Sequence, residues 1–179
     1  MKETRCLSRE SWSDYQRVFE SSSGCDGCWC FKHRSGFSDE TEGDFDARVA
    51  MRDLIRKEEV NGVIAYQDHV PVGWMGFEPA SKLKGIWAGV ESEDAWVIHC
   101  IFVDPAYRDG SIARLLLSGA LFQLRSRKVK KVMSFASTGQ SKEHSDSASH
   151  TISFFERAGF RKACDINESI SKMVLTLSY

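Results

Sequence analysis

A mixed α/β sheet is the fold class this sequence predicts, and three observations carry it. Two strand-like runs, Gly62 to Gln67 and Val70 to Phe77, flank Asp68-His69 and read as a hairpin. The run Trp96 to Val103 is almost continuously apolar, as a central strand buried on both faces requires. Downstream of it, helix-like and strand-like segments alternate.

The remaining elements follow in chain order. Thr4 to Leu7 reads as a short first strand. Ser8 caps a helix carrying Trp12, Tyr15, Val18 and Phe19 at helical spacing. A loop rich in Ser, Gly and Cys runs from Ser21 to about Thr41. The next helix spans about Asp44 to Glu59, with Ala47, Ala50, Met51, Leu54 and Ile55 on its apolar face. Glu78 to Asp94 connects the hairpin to the central strand, which Asp104-Pro105 ends. Ile112, Leu115, Leu116, Gly119 and Phe122 mark a helix, Val129 to Ala136 a strand and Thr151 to Arg157 a short helix. Met173 to Leu177 closes the chain as a strand.

The chain has 179 residues, 42% hydrophobic and 27% charged, which fits a single domain over 1–179 with an ordinary core. A net charge of −1 gives no general attraction to nucleic acid or an anionic membrane. The polar start, Met1 to Cys6, lacks the apolar centre of a signal peptide, and no run approaches a membrane span. On that basis the six cysteines are expected as reduced thiols and the compartment as cytoplasmic.

The chemistry centres on the turn after the central strand. Gly110, Ser111 and Ala113 are small enough to let a ligand approach the backbone. The N–H groups of Asp109 to Ala113 converge at a helix start, where the dipole favours a diphosphate, and Arg108 adds positive charge. By itself this pattern also describes a plain structural turn.

Two motifs together narrow the reading. Val103-Asp104-Pro105-Ala106-Tyr107-Arg108-Asp109-Gly110-Ser111-Ile112-Ala113 resembles the acetyl-CoA signature of the GNAT N-acetyltransferase superfamily. Ser153-Phe154-Phe155-Glu156-Arg157-Ala158-Gly159-Phe160 resembles that superfamily's second hallmark, in the same order and at the usual separation. The resemblance implies a GNAT fold with a splayed strand pair that binds acetyl-CoA, and transfer of an acetyl group to a primary amine without a metal. It implies that Ile101, Phe102 and Val103 hold the pantetheine and that Arg108, Asp109, Gly110, Ser111, Ile112 and Ala113 hold the diphosphate. A small-molecule amine acceptor is the implied partner, with a homodimer as a further one.

Two residues depart from the pattern. Ser111 stands where the superfamily usually has its first glycine, and Phe155 stands where many members carry the tyrosine that protonates the departing thiolate. A phenyl ring has no proton to donate. A non-catalytic acyl-CoA-binding domain is therefore the competing class.

Removal of the amine proton needs a base in reach of the nucleophile. Strand alternation puts His99 on one face with Val97, Ile101 and Val103, and arylalkylamine acetyltransferases carry a working histidine at the matching place. A core histidine satisfied by a neighbour is the plain alternative. Glu78 is the second candidate, although a lone glutamate at a strand end ordinarily faces solvent.

Cys25, Cys28, Cys30 and His33 have spacings that could surround zinc, but they crowd into one stretch with no second pair downstream. That alternative defines a third class, a zinc-binding interaction module. By position in GNAT folds the loop instead borders the acceptor pocket. Its Gly-Cys-x-x-Cys-Trp-Cys-like pattern resembles a poorly characterised bacterial branch, with Cys28, Trp29, Cys30 and Phe31 lining the pocket. The basic run Arg125 to Lys131 reads as the solvated end of a helix, and Cys100 as a buried, inert thiol.

Overall fold

The computed structural model describes residues 1–20, 29–31, 33–34, 46–85, 94–138 and 151–178. The described strands form one seven-stranded sheet in the order β1-β2-β3-β4-β5-β7-β6. They are β1 (Lys2–Cys6), β2 (Gly62–Gln67), β3 (Val70–Pro79), β4 (Ala95–Val103), β5 (Lys131–Ser137), β6 (Arg161–Asp165) and β7 (Ile170–Thr176). The described helices are α1 (Trp12–Glu20), α2 (Ala47–Arg56), α3 (Ser111–Ser126) and α4 (Ile152–Glu156). Neighbouring strands are antiparallel except β4 and β5, which run parallel. The expected mixed α/β architecture is therefore the observed one.

Local chemistry accounts for the boundaries. The Asp46 carboxylate accepts from the Arg48 and Val49 amides at 2.9 and 3.1 Å, capping α2. Asp68 and His69 both adopt positive φ, as the two central residues of a tight hairpin turn require. Helix α3 buries Ile112, Ala113, Leu116, Leu117, Ala120, Leu121 and Leu124 against the sheet. Phe122, expected on that face, is instead 67% exposed, because it lies between the buried turns. Strand β6 escaped the sequence reading. Its five residues are all exposed at the sheet edge, so no apolar alternation marks them.

Two apolar clusters cover opposite faces of the sheet. One joins α3, Phe155 and Phe160 to Met75, Phe77, Ile98, Ile101 and Val103. The other joins α1 and α2 to Ile64, Tyr66, Trp74, Cys100 and Phe102. Adjacent β4 residues therefore face different layers, and the helices on each side fix the sheet between them.

Cys30 and Cys100 form a disulfide, with Cα atoms 6.4 Å apart and a sequence separation of 70. This corrects the expectation that all six cysteines are thiols; Cys6 and Cys164 are free and exposed. The bond ties the α1–α2 connection to the middle of β4. Closing a loop of that length typically stabilises a fold by about 2–4 kcal/mol, chiefly by restricting the unfolded chain. Reduction, or Cys30→Ser, is expected to lower the unfolding free energy by that order, read from denaturant titration. A non-reducing digest should yield a peptide joining Cys30 to Cys100; alkylation of both sulfurs in unreduced protein would contradict the link.

Candidate functional site

Beyond Val97, β4 and β5 part. Their ladder pairs only Ala95 with Lys131, Trp96 with Val132 and Val97 with Met133. From Ile98 onward β4 keeps β3 as its partner, whereas β5 continues to Ser137 on β7. Across the opening, the buried Ser134 hydroxyl donates to the Ile98 carbonyl at 3.0 Å. An extended backbone edge at the centre of a sheet is thereby left without a strand partner, among the described residues. Such an edge can pair with an extended ligand chain.

Helix α3 begins at the mouth of this opening. Gly110 is its N-cap with φ of 79°, a left-handed conformation that glycine adopts without a Cβ penalty. Asp109 occupies the helix start itself. Its carboxylate accepts from the Ser111 amide at 2.8 Å and the Ser111 hydroxyl at 2.7 Å, and Lys2 approaches it at 3.2 Å. These bonds, led by the Ser111 hydroxyl, hold the Asp109 carboxyl well below the usual carboxylate range. Arg108 turns back, donating from Nε to the Val103 carbonyl at 3.0 Å. Phe155 lies wholly inside the core, edge-on to Phe154 and Phe160 at 5.1 and 5.3 Å.

On the α1/α2 face, one irregularity arranges the rest. In the β3–β4 ladder Gly76 pairs with Cys100 and Phe77 with Ile98, so His99 is an extra residue without a partner. This bulge breaks the alternation expected from sequence. Ile101 and Val103 join Ile98 on the α3 side, while Cys100 and Phe102 face α1 and α2. The placement of His99 on one face with Ile101 and Val103 is thus corrected. Its ring lies over Gly76, where a Cβ would meet His99 Cε1 and Nε2 at 3.1 Å and Trp74 Nε1 at 3.2 Å.

Trp29, Cys30 and Phe31, described residues of the α1–α2 connection, pack on this face. Trp29 and Cys30 adopt φ of 46° and 56°, a left-handed pair that costs about 1–2 kcal/mol per residue. The Tyr15 hydroxyl, which donates to the Trp29 carbonyl at 2.7 Å, and the Cys30–Cys100 bond hold them there. Trp29 stacks near Trp12 and Phe19, with Phe31 partly buried alongside. Cys25 and Cys28 lie outside the described residues. Among the described residues no group of three or more His, Cys, Asp or Glu could hold a metal, and Cys30 is committed to Cys100.

Arg34 and Glu78 form a buried ion pair beside His99. Glu78, the second base candidate, does not face solvent as a lone strand-end glutamate ordinarily does; it is fully buried. Its carboxylate also accepts from the Asn61 amide at 3.0 Å and the Asn61 side chain at 2.7 Å. Asn61 in turn accepts from Arg127 at 2.6 Å, so the basic run after α3 contributes one member to this network. Arg34 was not singled out by sequence, since no pattern distinguishes it from other loop arginines. Leaving either member of a buried ion pair unpaired typically costs about 3–5 kcal/mol.

Burial pushes the His99 imidazole down to about 3, reinforced by the positive charge of Arg34 and by His33. His99 is therefore neutral at any physiological pH.

The acetyltransferase (GNAT) family model matches residues 16–160, and the chain belongs to that family. Its class is accordingly acetyltransferase. The chain is similar in fold to the PaiA N-acetyltransferase of Thermoplasma acidophilum in complex with coenzyme A, at 16% identity and a TM-score of 0.59 over 99% of both chains. A ribosomal-protein-alanine N-acetyltransferase from Brucella melitensis gives 15% identity and a TM-score of 0.60, over 97% of this chain and 99% of its own. The aminoglycoside acetyltransferase AAC(6')-Ib in complex with coenzyme A gives 15% and 0.61, over 98% and 95%. No curated protein sequence matches the chain. No helix among the described residues is long and apolar enough to cross a membrane.

A pH dependence of stability follows from His99. In the unfolded chain a histidine binds its proton below about pH 6.5, whereas the folded His99 stays neutral down to about 3. Between those limits the unfolded state holds the extra proton, so acidification favours unfolding by about 1.4 kcal/mol per pH unit. Denaturation titrations of wild type and His99→Gln are expected to diverge in slope below pH 6.5. Parallel slopes would contradict the assignment.

Proposed function

We propose that this protein transfers an acetyl group from acetyl-CoA to a primary amine, by direct attack within a ternary complex. The parting of β4 from β5 next to the α3 N-terminus carries this reading. It offers an extended backbone edge for a pantetheine chain and a helix start for a diphosphate, and two of the structural relatives were solved with coenzyme A. The residues present fit such a ligand. Ile101 and Phe102 supply strand edge, while the Ser111, Ile112 and Ala113 amides face the diphosphate. The Val103 carbonyl is engaged by Arg108, so Val103 contributes chiefly wall.

Bound acetyl-CoA supplies an activated acyl carbon. The protein's own groups do the rest. His99, held neutral, accepts a hydrogen bond from the amine and aims its lone pair at the opening between β4 and β5. The amine nitrogen bonds to the acetyl carbon as the carbon–sulfur bond breaks. The bonding pair leaves on sulfur, and the proton lost by the amine ends on the thiolate. Phe155 cannot deliver that proton; a thiol pKa near 8.5 makes the thiolate a tolerable leaving group without a dedicated acid. Glu78, saturated by three donors, holds Arg34 in place. Trp29, Cys30 and Phe31 wall the acceptor side.

Because His99 remains neutral, kcat/KM should rise with pH along the free-base fraction of the acceptor, with no limb near pH 6.5. A limb there that His99→Gln removes would contradict this role.

Asp109 sets the cofactor side. Its carboxylate takes the Ser111 amide that a phosphate oxygen would take, so diphosphate binding must displace it. Calorimetry should show micromolar acetyl-CoA binding, and a panel of amines should release free CoA thiol. Asp109→Asn is expected to tighten acetyl-CoA roughly three- to tenfold at low salt, less at high salt. Tight binding without thiol release from any amine would favour a non-catalytic acyl-CoA-binding domain; no binding would overturn the reading.

A further inference from the structure

Acetyl transfer makes no use of the Cys30–Cys100 disulfide, yet the bond joins the two sides of the proposed site. Cys100 lies on β4 between His99 and Ile101, in the stretch that pairs with β3 but not with β5. Cys30 lies between Trp29 and Phe31, the residues assigned to the acceptor wall. The two ends of the bond are held differently. Cys100 has a partner in the sheet, Gly76, whatever the state of its sulfur. Cys30 belongs to no strand or helix.

The loop end sits in a conformation that needs support. Trp29 and Cys30 adopt φ of 46° and 56°, which residues with a side chain leave when nothing opposes it. The Tyr15 hydroxyl donates to the Trp29 carbonyl at 2.7 Å, and the Arg34 amide to the Phe31 carbonyl at 3.0 Å. Those hydrogen bonds act on the residues either side; the disulfide acts on Cys30 itself. Opening it removes the covalent restraint on the left-handed pair. A change of φ at Cys30 then re-aims Trp29 and Phe31 relative to each other.

The bond also lies where a small reagent meets it. Cys30 is 4% exposed, but Cys100, Trp29 and Phe31 are only partly buried, at the margin of the α1/α2 cluster. Thiol exchange requires attack on one of the two sulfurs.

We propose that the Cys30–Cys100 pair is a redox control on acetyl transfer. The disulfide form holds Trp29, Cys30 and Phe31 as the acceptor wall; the dithiol form releases them, weakening acceptor use and sparing acetyl-CoA binding. The inference rests on the acetyl-transfer reading and names a regulation of the same site. The reductant is a small dithiol. One of its thiolates bonds to the Cys100 sulfur, and the disulfide's bonding pair leaves on the Cys30 sulfur. Its second thiolate then bonds to the first, releasing Cys100. The reagent ends as a cyclic disulfide, and the cysteine pair gains its two electrons and two protons.

The test compares two states of the full-length wild type. One is oxidised, as verified by the Cys30–Cys100 peptide; the other is reduced with dithiothreitol and desalted without air. Circular dichroism checks the fold of each. Chromatography of CoA released with spermidine, tyramine or L-alaninamide reads transfer, and calorimetry reads acetyl-CoA binding. Reduction is expected to raise the acceptor KM roughly three- to tenfold, reversibly, while the acetyl-CoA Kd moves less than twofold. Cys30→Ser should show the raised KM untreated and no response to dithiothreitol. A Cys6→Ser/Cys164→Ser variant, which lacks the two exposed free thiols, should respond as wild type does. An unchanged KM on reduction, an equal loss of acetyl-CoA binding, an unfolded reduced state, or a Cys30→Ser protein that still responds would overturn the inference. Failure of the acetyl-transfer reading looks different: no acetyl-CoA binding, or no CoA release with any amine, in either state.

Discussion

One extra residue in β4 governs the arrangement of the site. Without the bulge at His99, strict alternation would carry either Ile101 and Val103 or Ile98 onto the wrong layer. With it, Ile98, Ile101 and Val103 pack under α3, while Cys100 and Phe102 meet α1, α2 and the loop between them. The bulge also sits two residues past the last β4–β5 pair, inside the stretch of β4 that pairs with β3 but not with β5. The bulge and the parting of β4 from β5 thus fall in the same short stretch of β4.

The loop above this face is held by interactions that oppose a local conformational cost. Trp29 and Cys30 would not adopt left-handed backbone unaided. A disulfide to β4, a hydrogen bond from Tyr15 and stacking against Trp12 and Phe19 keep them there. Below them, the polar groups divide sharply. Glu78 is saturated by Arg34 and Asn61, whereas Trp74 Nε1, Arg34 Nε and the His99 ring nitrogens are buried without a partner.

Much of this was legible before the structure. The hairpin, the apolar central strand and the Arg108 to Ala113 turn announce themselves through periodicity, burial and small residues, which are local properties. The misses share a different cause. The bulge is a pairing property: nothing within Trp96 to Val103 says which residue lacks a partner on β3. The Cys30–Cys100 bond and the burial of Glu78 are contacts across long sequence separations, invisible to spacing rules. Strand β6 is polar and at an edge, so it carries no apolar pattern. Arg34 becomes informative only once Glu78 and His99 are seen beside it.

The central claim is that the opening between β4 and β5 receives the acyl donor. Amide chemical-shift mapping of isotopically labelled protein during CoA titration tests it most directly. The account predicts the largest changes at Cys100 to Val103 on β4 and Asp109 to Ala113 at the α3 start. Saturating changes confined to other surfaces, with both segments silent, would contradict it.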